Sequence, residues 1–155
     1  GYLVGTHARD KDAVVSAMLI CQMAAWYKNQ GKTLVDALHA VYEKYGYYLD
    51  ALDSFVLKGK DGAEKIGALM QNFRAGGDQM FAGVEQVQDF AKGIGDLPKE
   101  NVLKFLFTDG SWLAVRPSGT EPKIKVYYSI VDPDKAAAHS RLAALQAQIK
   151  EMIGE

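Results

Sequence analysis

Arg116, Ser118, Gly119 and Thr120 fall within five consecutive residues, inside the run Arg116-Pro117-Ser118-Gly119-Thr120-Glu121-Pro122. Together they offer a guanidinium, two hydroxyls and a backbone amide that no side chain shields. A phosphate dianion requires that donor set: a bidentate fork, hydroxyl donors and a peptide N–H it can approach closely. Each charge-assisted hydrogen bond is worth roughly 1.5–3 kcal/mol, so three or four hold a phosphate at useful affinity. The flanking prolines restrict φ and reduce the entropy lost on binding. Pro-Ser-Gly is also ordinary turn chemistry, and on residue types alone a plain turn stays open beside the anion cradle.

The cradle needs strands to hold it. Trp112-Leu113-Ala114-Val115 precedes the loop and Ile124 to Ile130 follows it, both strand-like. In the second run Lys123, Lys125 and Tyr127 alternate with Ile124, Val126 and Tyr128, which predicts one polar and one apolar face. Val102 to Thr108 reads as a further strand, turned by Asp109-Gly110 into the next. Ser54 to Lys58 reads as a short strand. Asp61 with Glu64 caps a helix lined by Ile66, Met70 and Phe73 and closed by Gly76-Gly77. Glu85 to Phe90 is a further strand candidate, Gly93 to Asn101 a loop, and Asp132-Pro133 opens a last helix carrying Leu142, Leu145 and Ile149. The order predicts an α+β fold, an antiparallel sheet with two helices on one face.

Upstream, Gly1 to Arg9 reads as a short strand and loop. Asp10 or Asp12 caps a helix to about Asn29 with a broad apolar stripe that includes Val15, Leu19, Met23 and Trp26. Cys21 within that stripe is expected in the core as a small hydrophobe. Thr33 with Asp36 resembles a capping box and opens a second helix to about Tyr45, with His39 on its solvated side. Tyr47 to Asp53 reads as the connection between two units, residues 1–50 and 51–155. One strand candidate beside two helices is too little for a complete α/β domain, so the first unit is expected to be an incomplete piece whose remainder precedes Gly1.

Composition narrows the function. The 155 residues carry a formal net charge of −1, with 48% hydrophobic and 24% charged residues. A near-neutral chain without a basic stripe lacks the footprint for nucleic acid or an anionic membrane, so any anion must be held by a local cluster. No run approaches the roughly 20 apolar residues of a membrane span. The single cysteine excludes an internal disulfide and fits a reducing, cytoplasmic compartment. Three scattered histidines offer no metal-ligand spacing.

Val-Arg-Pro-Ser-Gly-Thr-Glu-Pro-Lys-Ile-Lys-Val-Tyr (115–127) resembles the phosphate-binding loop in the last domain of the α-D-phosphohexomutases, the phosphoglucomutase and phosphomannomutase family. The opening Gly-Tyr-Leu-Val-Gly-Thr-His-Ala-Arg-Asp-Lys-Asp-Ala-Val, with Tyr-Glu-Lys-Tyr-Gly-Tyr-Tyr downstream, resembles the end of that family's third domain. The resemblance implies a last domain of the TATA-binding-protein-like class, and a sugar-recognition loop lying just before Gly1. It implies that Arg116 forks a phosphate, that Ser118 and Thr120 donate hydroxyl hydrogen bonds, and that the Gly119 amide completes the nest. Lys11 becomes a candidate contact near the sugar, with Arg9 a weaker one. Lys125 and Lys123 add positive charge or form a solvated face, and Glu121 orients a neighbouring cation.

The resemblance also implies what the whole protein does. A phosphoserine in the first domain gives its phosphoryl group to a hexose 1- or 6-phosphate, forming a bisphosphate such as glucose 1,6-bisphosphate. The bisphosphate reorients and returns its other phosphate, while the last domain holds whichever phosphate is not reacting. Mg²⁺ is held in the second domain by an Asp-x-Asp-x-Asp loop. Neither the phosphoserine motif nor the metal loop occurs here, so this chain alone is expected to be inactive and its partners are a hexose phosphate and the other domains. The Gly-Tyr-Leu and Arg-Asp-Lys-Asp runs resemble the phosphoglucomutase branch more than the phosphomannomutase one. Two rival classes stay open: a stand-alone module that binds a sugar phosphate without chemistry, and a nucleic-acid-binding domain suggested by the sheet class and opposed by the charge.

Overall fold

A computed structural model of the chain describes residues 2–57 and 61–154 and divides it into two compact units, Gly1–Tyr45 and Gly46–Glu155. Gly1 and Lys58, at the ends of two expected strands, lie outside the described residues.

The first unit contains helices α1 (Ala13–Lys28) and α2 (Leu34–Tyr45). Asp12 caps α1, its Oδ1 accepting from the Val15 amide at 3.0 Å. Thr33 and Asp36 form the reciprocal cap expected of them: the Asp36 amide donates to Thr33 Oγ1, and the Thr33 amide to Asp36 Oδ2. The expected strand before Arg9 does not form among the described residues, since this unit has no second strand to pair with it. No residue of α1 or α2 is buried, and Cys21 is exposed instead of lying in a core. Two helices bury one flank of each other and leave the rest of a wide apolar stripe uncovered.

The second unit is a five-stranded antiparallel sheet: β1 (Tyr47–Val56), β2 (Val84–Asp89), β3 (Leu103–Phe107), β4 (Trp112–Pro117) and β5 (Lys123–Asp132), in spatial order β1-β5-β4-β3-β2. Helices α3 (Gly62–Gly76) and α4 (Lys135–Ile153) cover one face. Period-two alternation turns Leu103, Phe105, Leu113, Val115, Ile124 and Val126 to that face, all at 0% exposure. Met70 and Phe73 from α3 and Leu145 and Ile149 from α4 close over them. Arg141 of α4 pairs with Asp109 in the β3–β4 turn and lies 5.0 Å from the centre of the Phe107 ring.

Residues 47–53 correct the expected connection. They belong to a ten-residue strand paired along its whole length with β5, so the expected border at residue 50 falls inside a strand. Asp53 hid this, because a carboxylate at an inward position breaks the apolar alternation of Leu49, Ala51 and Phe55. It is satisfied in place: the Tyr128 hydroxyl donates to its Oδ2 at 3.1 Å and Gln146 Nε2 donates to both oxygens at 3.2 Å. Burial and the Asp53 charge push the Tyr128 hydroxyl far above its usual pKa, so it remains a donor. Two helix starts also differ. Asp61 makes no side-chain cap bond and pairs with Lys65 instead, while α4 is capped by Asp134, not Asp132.

Candidate phosphate-binding loop

Strands β4 and β5 are directly paired up to Pro117↔Ile124, so residues 118–122 must reverse the chain across one rung of the sheet. The Ser118 amide donates to the Lys123 carbonyl at 2.7 Å and the Lys123 amide to the Glu121 carbonyl at 2.7 Å. The Thr120 amide donates to Ser118 Oγ at 3.4 Å, which leaves the Ser118 hydroxyl hydrogen free to point elsewhere. The Gly119 amide donates to no group among the described residues.

Arg116 and Lys125 are opposite one another in the register, on the sheet face away from the helices. Neither forms a hydrogen bond or ion pair among the described residues. Like charges directly opposite in a sheet destabilise it, and no carboxylate among the described residues forms an ion pair with either. Lys123 differs: its Nζ lies 2.7 Å from Glu121 Oε2, and that cation holds the Glu121 carboxyl below its usual pKa. Glu121 thus ion-pairs with Lys123 and reaches Lys125 only at longer range, so Arg116 and Lys125 have no ion-pair partner among the described residues.

The loop separates two recesses. One, about 180 Å³, is lined by Arg116, Pro117, Ser118, Gly119, Lys125 and Tyr127. The other, about 430 Å³, lies between residues 118–122 and Ala63 and Ile66 of α3. Three of the four expected phosphate ligands therefore share the first recess, and Thr120 lines the second. Lys11 and Arg9 belong to the first unit, where Lys11 Nζ lies 2.8 Å from Asp10 Oδ1 and both side chains of that pair are exposed.

Two glycines shape the loop in different ways. A Cβ at Gly119 would meet no atom within 4 Å, and its φ lies outside the left-handed region. The loop's own conformation therefore does not require glycine there. Gly62, at the first turn of α3, is the reverse: a Cβ would come within 2.0 Å of the Leu57 carbonyl oxygen and 3.3 Å of Pro122 Cβ. The Leu57 amide also donates to the Pro122 carbonyl at 2.9 Å, so the start of α3 is seated against the end of the loop. In the sequence Asp61-Gly62 reads only as a helix start; glycine at the first helical position was the available signal. Gly62→Ala should cost about 1–3 kcal/mol, the usual range for overpacking. Urea unfolding checks this, and an unchanged midpoint would show that α3 lifts off the loop without penalty.

Among the described residues, no three of His, Cys, Asp and Glu come together as a metal site, and no helix is long and apolar enough to cross a membrane.

The profile of the phosphoglucomutase/phosphomannomutase C-terminal domain matches residues 70–152, more than half of the chain and all of β2 to β5 with their loop. The chain belongs to the phosphoglucomutase/phosphomannomutase family. A phosphoglucomutase of Staphylococcus aureus (strain MRSA252) is 40% identical over 147 residues, which cover 86% of this chain. One from Staphylococcus haemolyticus (strain JCSC1435) is 37% identical over 143 residues, covering 84% of this chain. Each match takes in 26% of the relative, so the chain spans about a quarter of the length of these curated proteins. The fold is also that of a solved structure, the open form of the exocytosis-sensitive phosphoprotein parafusin, a phosphoglucomutase from Paramecium. It superposes with a TM-score of 0.70 over 96% of this chain and 28% of its own, at 19% identity. The family's C-terminal domain accounts for the α+β sheet and for the position of the loop between two of its strands.

Proposed function

We propose that this chain is the C-terminal part of a phosphoglucomutase-like hexose-phosphate mutase, and that residues 116–120 hold the substrate phosphate that is not being transferred. The observation that carries the reading is the Arg116–Lys125 pair. Two cations face each other across adjacent strands without an ion-pair partner among the described residues, beside a hydroxyl and an unused amide, in one recess. A phosphate dianion turns that repulsion into a double attraction. Arg116 forks two phosphate oxygens, Lys125 adds a point charge, and Ser118 Oγ–H and the Gly119 N–H complete the cradle. Thr120 acts from the loop's other side, its amide fixing the Ser118 hydroxyl so that the Ser118 proton is directed at the ligand.

Binding a phosphate remote from the reacting one supplies orientation, and with it a share of the rate that substrate contacts at the reacting centre alone do not provide. In the complete mutase a bisphosphate intermediate presents either phosphate to this loop in turn. Lys11 and Arg9 remain candidate sugar contacts from the first unit. The Mg²⁺ that the family resemblance implies finds no ligand set among the described residues.

Titration of the chain with glucose 1-phosphate, following the backbone amides of Arg116 to Thr120 by NMR, tests the reading. Saturable shifts centred on Gly119 and lost in Arg116→Ala are expected. Flat titration curves in the unaltered chain at millimolar ligand would overturn a preformed cradle. Gly119→Val is the companion variant. Its side chain enters open space, so thermal stability should stay within about 0.5 kcal/mol of the unaltered chain. Its phosphate affinity should nevertheless fall as steeply as in Arg116→Ala, and retained affinity would reduce the loop to a turn.

A further inference from the structure

Tyr127 and Tyr128 are neighbours on β5 that face opposite sides of the sheet. Tyr128 is buried and its hydroxyl donates to Asp53. Tyr127 is half-buried on the outer face, one rung along from Lys125, and its hydroxyl has no hydrogen-bond partner among the described residues. It lines the same 180 Å³ recess as Arg116, Lys125 and Ser118.

A half-buried tyrosine ordinarily finds a partner for its O–H. The side chains that share this recess are rich in donors and poor in acceptors. Arginine and lysine have no acceptor, and the Ser118 oxygen, which accepts from the Thr120 amide, keeps one lone pair and makes no bond to Tyr127. Four donor-bearing side chains therefore line one small recess: a guanidinium, an ammonium and two hydroxyls. A single acceptor-rich anion satisfies all of them, whereas water or a neutral ligand would leave the two charges unmatched. Nor does the fold require the phenol at this position. The cross-strand neighbours of Tyr127 are Ala114 and Leu52, both apolar, which phenylalanine would pack equally well.

Resting on the phosphate reading of the loop, we infer that Tyr127 is a further ligand contact, its hydroxyl donating to an oxygen of the phosphate held by Arg116 and Lys125. This extends the site beyond the loop and onto the face of the sheet. It also places the phosphate over β5, between Lys125 and Tyr127, with the remainder of the ligand directed away from the strand.

The test compares the unaltered chain, Arg116→Ala and Tyr127→Phe, each titrated with inorganic phosphate and with glucose 1-phosphate while the amides of residues 116–120 are followed. Tyr127→Phe should bind both ligands about tenfold more weakly, the loss of one hydrogen bond to a charged group. Shifts away from the site should be unchanged, because the ring is kept. If Tyr127→Phe binds both ligands as the unaltered chain does while Arg116→Ala loses them, the cradle stands and the role of Tyr127 is overturned. If only glucose 1-phosphate weakens, the hydroxyl meets the sugar and the phosphate contact is overturned. If the unaltered chain saturates with neither ligand, the cradle and the inference fall together.

Discussion

On the proposed function, Arg116→Ala in the full-length protein should lower kcat/KM for a hexose phosphate by the equivalent of about 2–4 kcal/mol, the value of a bidentate, charge-assisted contact. The structure sharpens this expectation by separating it from folding. The Arg116 side chain is exposed and makes no ion pair or hydrogen bond among the described residues, so alanine removes no native interaction. It relieves the repulsion with Lys125 across the strands. Denaturation midpoints should therefore hold steady or rise slightly while turnover falls. Arg116→Lys should lie between, since a lysine restores charge without the planar fork. A loss of activity below about threefold would remove Arg116 from the site. A fall in stability as large as the fall in activity would mean that the guanidinium serves the fold.

The loop was legible as a strand-to-strand turn because the residues that define it are adjacent in the chain. Arg116, Ser118 and Gly119 are consecutive or nearly so, and the hairpin signal at Asp109-Gly110 with the alternation on β5 placed strands around them. What was not legible depended on partners distant in sequence. Lys123 and Lys125 look equivalent, and only the side-chain geometry shows that Glu121 forms an ion pair with the first and not with the second. Asp53 disguised a ten-residue strand because Tyr128 and Gln146, which satisfy it, lie 75 and 93 residues further on. Gly62 revealed its role only once Leu57 and Pro122 were seen beside it. Cys21 shows the opposite failure. Its apolar stripe was read correctly as a pattern, but a pattern states a tendency to be covered and not whether the covering element is at hand.

The largest effect on stability should come from the far side of the same sheet. Phe105 on β3 is fully buried, 5.1 Å from the Phe81 ring at an interplanar angle of 85°, and 6.4 Å from Phe73 of α3 at 62°. Both are edge-to-face arrangements that add to the area buried. The three rings join β3 to α3 and to the segment before β2, whose Gly83 carbonyl also accepts from the Thr108 amide at 3.1 Å. Phe105→Ala should cost about 3–5 kcal/mol, transfer loss together with the cavity left behind. Against the roughly 5–15 kcal/mol that holds a typical domain together, that is a large share. The urea midpoint of the sheet amides should drop with an unchanged slope. A cost below about 1 kcal/mol would show that Phe73 and Phe81 close the gap and that the cluster is not the fastening it resembles. Phosphate binding supplies the discriminating readout. Arg116, Lys125 and Tyr127 sit on the opposite face, so the folded fraction of Phe105→Ala should titrate with the unaltered chain's affinity. Arg116→Ala should show the mirror pattern, normal stability with lost affinity. If Phe105→Ala weakens the cradle as well, the spacing of β4 and β5 is set by the aromatic packing beneath them. The opposed cations would then owe their separation to the core.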